Sequence, residues 1–165
     1  YDVSFYLRLI ETLRREIKDF TLTLDVMAGF PGESEQAFEN SLGVLRTVRP
    51  LKAHVFPYSP REGTRAAAWP GLPAAVVRRR AERLAEEARR IGDEVRRAFI
   101  GRVMEVIPER FSKGASQGFT ANYLSVRLSA PPAGSFAGVR LSRLSGEVFW
   151  GEPVTAEGGF DERLL

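Results

Sequence analysis

The chain has 165 residues, of which 44% are hydrophobic and 27% charged, and its formal net charge is +3. It contains no cysteine and one histidine, which excludes a disulfide framework, any thiolate metal or iron-sulfur site built from this chain, and most histidine-based catalytic constellations. No apolar run is long enough to cross a bilayer and no secretory signal precedes the first helix, so no membrane contact is expected and the cytoplasm is the expected compartment.

At the amino end Ser4 is placed to cap a helix in which Phe5, Leu9, Leu13 and Ile17 form an apolar stripe, widened by Tyr6 and Ile10. Residues 20–28 follow as a strand whose apolar run after Asp25 suits a parallel sheet covered on both faces. The chain then turns at Gly29-Phe30-Pro31-Gly32. Glycine admits dihedrals and close approaches that a side chain forbids, and Pro31 sets one turn angle and removes a donor. The loop is therefore read as shaped to show backbone to a ligand, with an ordinary strand-to-helix connection as the alternative. Ser34 caps a second helix carrying Phe38, Leu42 and Leu45, which stops before Pro50. Residues 53–57 are the next strand and lead into Tyr58-Ser59-Pro60-Arg61-Glu62-Gly63-Thr64. The order helix, strand, helix, strand implies parallel βα units, in which ligand loops follow the carboxyl ends of the strands. The loops after Ala28 and Pro57 are thus expected side by side on one rim.

Residues 66–73 form a Pro/Gly/Ala-rich connection. Val77, Ala81, Leu84, Ala88, Ile91, Val95 and Phe99 then recur at spacings of three and four, which predicts a long helix over 74–99. Its other face carries eight arginines, including Arg80, among five acidic residues, and reads mostly as a solvated charged face, with nucleic-acid contact as the alternative. From Gly101 the period shifts toward two and turns come at short intervals. Segments 102–108, 119–128, 137–144 and 147–151 read as the four or five strands of a small barrel, with a loosely ordered tail after Pro153. The basic residues Arg102, Arg110, Lys113, Arg127, Arg140 and Arg143, with Phe119 and Tyr123 between them, suit phosphate contact and base stacking. Glu105, Glu109, Glu147 and Glu152 offset four of those six charges, so from the residues alone the module reads as a solvated β barrel.

The two loops taken together resemble a known family. Asp25-Val-Met-Ala-Gly-Phe-Pro-Gly-Glu33, followed by His54-Val-Phe-Pro-Tyr-Ser-Pro-Arg-Glu-Gly-Thr64, is similar to the late part of the radical S-adenosylmethionine domain of methylthiotransferases. The small β module resembles the TRAM RNA-binding domain of those enzymes, and Gly118-Phe-Thr-Ala-Asn-Tyr-Leu-Ser-Val126 is most similar to the branch acting on threonylcarbamoyladenosine in tRNA. The resemblance implies an α/β chain made of the last βα units of a partial radical SAM barrel (1–72), a bridging helix (73–100), a small all-β TRAM barrel (101–153) and a tail (154–165). It implies adenosylmethionine contacts at Asp25, Gly29, Phe30, Phe56 and Tyr58, and substrate or RNA contacts at Arg61, Arg102, Lys113, Phe119, Tyr123, Arg127 and Arg140. For Arg61 a loop-stabilising ion pair is an equal alternative.

The family also needs a Cys-x-x-x-Cys-x-x-Cys loop for a 4Fe-4S cluster, and further cysteines for a second one. This chain has none, so no catalytic or metal-ligating residue is assigned in it. The expectation is the carboxyl-terminal part of a tRNA methylthiotransferase, inactive alone, with the tRNA anticodon arm and the missing amino-terminal part of the same enzyme as partners. A non-catalytic RNA-binding protein, or a methylthiotransferase acting on isopentenyladenosine or on a ribosomal protein, are the alternatives. His54 is expected as a core or rim histidine rather than a base, and Glu33 as a first-turn residue of its helix. Missing strands would leave an open edge and apolar surface, so poor solubility or self-association of the isolated chain is expected.

Overall fold

The computed structural model describes residues 2–112, 115–129 and 137–154. The chain divides into two compact units, Tyr1–Val95 and Arg96–Leu165.

The first unit opens with α1 (Val3–Glu16), then β1 (Thr23–Ala28), α2 (Glu35–Val48), β2 (Lys52–Pro57), a short 3-10 turn (Arg65–Ala68) and α3 (Ala74–Arg97). β1 and β2 form a two-stranded parallel sheet in which Asp25 lies beside His54 and Met27 beside Phe56. The side chains of a strand alternate. Leu24, Val26 and Ala28 with Ala53 and Val55 pack on Phe38, Leu42 and Leu45 of α2 and on Leu84, Ala88 and Ile91 of α3. The opposite face, with Asp25, Met27, His54 and Phe56, is exposed. One expectation is corrected here, since the sheet is covered on one face only; His54, expected in the core or at the rim, stands mid-strand on the open face. The apolar run had concealed the alternation because the outward Met27 and Phe56 are themselves hydrophobic.

The cap of α1 is Asp2, whose Oδ1 accepts from the Phe5 amide at 2.8 Å, and not Ser4. Both residues are good caps, and the earlier one captures the helix start. The buried residue of α1 is Ile10, whereas Phe5, Leu9 and Ile17 of the expected stripe are exposed. For α2 the expectations hold: Ser34 Oγ accepts from the Ala37 amide at 3.1 Å, and the helix ends at Arg49 with φ 41° before Pro50.

The second unit is a closed barrel of β3 (Val103–Ser112), β4 (Ala115–Thr120), β5 (Ser125–Leu128), β6 (Ala137–Ser145) and β7 (Val148–Pro153), in the order β3-β4-β5-β7-β6. The β5/β7 pair is parallel and the others antiparallel. Val106, Val126, Leu128, Val139, Leu141 and Phe149 fill it. A Cβ on Gly151 would lie 2.3 Å from Val139 and 2.8 Å from Leu128, so only glycine leaves room for these side chains. The predicted strand over 119–128 is in fact two strands. Thr120 Oγ1 accepts from the Leu124 amide at 2.9 Å, and Tyr123 adopts φ 63°, so a side chain local to the turn breaks the ladder. Lys113, the turns at Gly114 and 131–134, and the tail from 155 lie outside the described residues.

Candidate functional site

The carboxyl ends of β1 and β2 meet as expected. Ala28 lies beside Pro57, and the Tyr58 amide donates to the Ala28 carbonyl at 2.8 Å. This hydrogen bond draws the two loops together. The Phe30 ring stands edge-on to Tyr58 at 5.3 Å and to Trp69 at 5.9 Å, a favoured geometry for aromatic pairs. Tyr58 and Trp69, but not Phe30, also line a cavity of about 560 Å³ with Gly29, Leu72 and Val77 in its walls. The Tyr58 hydroxyl is buried and, among the described residues, has no hydrogen-bond partner, an exception among buried polar groups.

Gly29 has φ 78°, and a Cβ there would lie 2.7 Å from Val77. It is needed for the turn and for the approach of α3. The loop is held from that helix as well. Arg80 donates to the Glu33 carboxylate at 2.7 Å, to the Glu33 carbonyl at 2.8 Å and to Glu35 at 2.8 Å, while Glu33 accepts from the Gly29 amide at 3.0 Å. Burial opposes the charge on Arg80, but the bonds to Glu35 and Glu33 outweigh it and raise the pKa. The hydrogen bond from Arg80, which outweighs desolvation, lowers that of Glu35. Two expectations change. Arg80 is not on a solvated face, since it is 5% exposed, and Glu33 is not a first-turn residue, since it precedes the Ser34 cap of α2 and ties the Gly29 amide to Arg80 instead.

Asp25 is not brought to this aromatic cluster. It stands mid-strand and lines a separate groove of about 780 Å³ with Asp2, Tyr6 and Val44. Phe56 is on the open sheet face, beside Met27. Arg61 is exposed, and among the described residues it has no ion-pair partner; its turn is closed by its own carbonyl, which accepts from Thr64 Oγ1 at 2.8 Å.

On the barrel, Tyr123 is 78% exposed at the tip of the β4–β5 turn. Arg127 lies 5.3 Å from the centre of the Trp150 ring. Arg102 lies over Phe99 at 4.9 Å, and Arg140 donates to the Gly101 carbonyl at 3.3 Å. Phe119 is half-buried on β4, beside Ile107 and Ser125. Lys113 is outside the described residues. Sequence reasoning missed Trp69, Arg80 and Trp150. Trp69 sits in a Pro/Gly-rich connection that promises no packing, and Arg80 is one of three consecutive arginines with nothing to distinguish it. Trp150 had a usable signal, alternation between the inward Phe149 and Gly151.

Among the described residues no cluster of His, Asp or Glu could hold a metal ion, and no helix is long and apolar enough to cross a membrane. No protein-family model matches the chain. It is similar to a probable threonylcarbamoyladenosine tRNA methylthiotransferase of Pyrococcus horikoshii, 35% identical over 156 residues, covering 94% of this chain and 37% of the relative. The threonylcarbamoyladenosine tRNA methylthiotransferase of Thermotoga maritima is 32% identical, covering 89% of this chain and 34% of the relative. The tRNA-2-methylthio-N(6)-dimethylallyladenosine synthase of Moorella thermoacetica is 36% identical, covering 93% and 36%. The chain thus spans little more than a third of the length of the curated relatives it matches.

Proposed function

We infer function from the premise that this chain belongs, over the stretch it spans, to the tRNA methylthiotransferases. The reading is that it forms part of an enzyme that adds a methylthio group to carbon 2 of N6-threonylcarbamoyladenosine beside the anticodon. The observation that carries it is the 35% identity to the Pyrococcus horikoshii protein over 94% of this chain.

The first unit is read as the last βα units of a radical SAM barrel, with the open face of β1 and β2 toward its interior. The residues fit part of an adenosylmethionine site. Phe30, Tyr58 and Trp69 offer apolar faces to a flat base, and the unpartnered Tyr58 hydroxyl supplies a polar contact. When bound, adenosylmethionine supplies the radical and the methyl group. The chain's own part is to orient it: Arg80 and Glu33 hold the Gly29–Glu33 loop, and Asp25, Met27 and Phe56 wall the open face. The residues do not fit a 4Fe-4S cluster, since the chain has no thiolate. Cluster ligands then belong to the part of the enzyme that the relatives have and this chain does not span.

The second unit is read as a TRAM domain. A closed five-stranded barrel is an architecture on which oligonucleotides are bound, and Tyr123, Phe119, Arg127, Arg102, Arg140 and Lys113 are its proposed RNA contacts. The partner is the tRNA anticodon arm, and the compartment is the cytoplasm, where such tRNA is modified.

The test is nucleoside analysis of tRNA from cells with and without the gene. Loss of the methylthio group from threonylcarbamoyladenosine supports the reading, and an unchanged nucleoside profile overturns it. The 36% identity to the dimethylallyladenosine enzyme favours a second reading, in which that nucleoside is the one affected.

A further inference from the structure

We propose that Arg127, Trp150 and Arg143 form a preorganised phosphate subsite for single-stranded RNA on the barrel wall; this rests on the RNA-binding reading above. The three residues lie on adjacent strands in register, Arg127 of β5 and Arg143 of β6 each opposite Trp150 of β7. Their guanidinium carbons lie 5.3 and 4.9 Å from the centre of the indole ring, within the range of cation–π attraction.

The placement of Arg143 depends on an irregularity. Leu141 points into the barrel and is fully buried. By strict alternation Arg143, two residues on, would point inward too. The register instead slips between Leu141 and Arg143, and Ser142 is absorbed as a bulge, its hydroxyl donating to the Trp150 carbonyl at 3.1 Å. A bulge of this kind re-aims the side chain that follows, and Arg143 is exposed. Arg127 needs no such device, because Val126 and Leu128 on either side point inward.

Among the described residues neither Arg127 nor Arg143 has a carboxylate partner, although Arg46, Arg49, Arg80, Arg83 and Arg90 in the first unit all do. A guanidinium laid against an aromatic ring keeps its edge N–H donors free, and those donors match two phosphate oxygens. The indole also restrains two flexible side chains before a ligand arrives, which lowers the ordering cost of binding. Trp150 is then a positioning residue, and the two arginines are the contacts.

The experiment titrates the full chain with a short RNA stem-loop at several salt concentrations, each variant first shown to be folded by circular dichroism. Each phosphate contact contributes about 0.7 to the slope of log affinity against log salt on single strands. Arg127→Gln and Arg143→Gln are each expected to lower the slope by about that amount. Arg127→Lys and Arg143→Lys keep the slope but bind several-fold more weakly. Trp150→Leu also weakens binding several-fold at an unchanged slope, and Trp150→Phe recovers most of the loss. If the parent chain binds with a salt dependence and the two Gln variants keep its full slope, the subsite is overturned and the RNA reading stands. If the parent chain shows no salt-dependent binding, the RNA reading fails and the subsite with it.

Discussion

Arg80 and Glu33 form an ion pair at 2.7 Å with side chains only 6% and 10% exposed, linking the second turn of α3 to the loop 47 residues earlier. A buried charge left without its partner is costly, so Arg80→Met should destabilise the first unit by about 3 to 5 kcal/mol. Glu33→Gln removes the other charge, and in the double variant the two losses should not add. Urea unfolding of all four chains gives the coupling; strict additivity would show that the pair does not hold the loop.

Gly29 is constrained twice, by its φ of 78° and by Val77, which would lie 2.7 Å from a Cβ at this position. Gly29→Ala should cost roughly 2 to 3 kcal/mol, combining left-handed strain with overpacking. Adding Val77→Ala should restore the steric part and leave the strain of about 1 kcal/mol. Thermal unfolding of the single and double variants separates the two. Full restoration would mean the backbone angle is no constraint.

Glu87 accepts from Arg90 at 2.9 Å and from Arg46 at 2.6 Å, and these bonds hold its pKa at about 2 against the ordinary 4.5. The folded pKa is depressed, so the stabilisation is complete above pH 4.5 and is lost as pH falls toward 2. Glu87→Gln should therefore flatten this acid limb while leaving the pH dependence near neutrality unchanged. An acid limb identical to that of the parent would show that Glu87 is not its source.

Tyr123 holds a left-handed backbone, φ 63°, while its side chain is 78% exposed. A residue so placed contributes little to the fold and is read as a base-stacking group. Tyr123→Gly should raise stability by up to about 1 kcal/mol through relief of strain. The same variant should weaken RNA binding by about 1 to 3 kcal/mol. Calorimetry and RNA titration on one preparation check both signs.

The open face of β1 and β2 exposes Met27 and Phe56, 42% and 40%, and among the described residues these strands pair only with each other. Exposed strand edges and apolar patches promote association. Phe56→Lys with Met27→Glu should shift the chain toward monomer in sedimentation at rising concentration, with little loss of stability because neither side chain is in the core. An unchanged association would move the contact elsewhere, to the exposed Phe5 and Leu9 of α1 for example.

By itself the sequence determined the order of elements in the first unit, the caps and stops of α2, the core stripe of α3 and the meeting of the two loops after Ala28 and Pro57. These follow from local rules: a serine before a helical period, a glycine where φ is positive, apolar residues three and four apart. The tertiary structure alone decided what partner each polar or aromatic group finds. Arg80 lies in an unbroken run of arginines, and only the approach of α3 to the β1 loop makes it the buried one. Asp25 and Phe56 look like rim residues in one dimension, and the pleat sends them to the open face away from Gly29. Arg143 is one of six basic residues of the barrel in one dimension, and only the register shift at Ser142 sets it opposite Trp150. Periodicity is a property of neighbours along the chain, whereas burial, ion pairing and register depend on segments dozens of residues apart, and these place the groups that would touch a ligand.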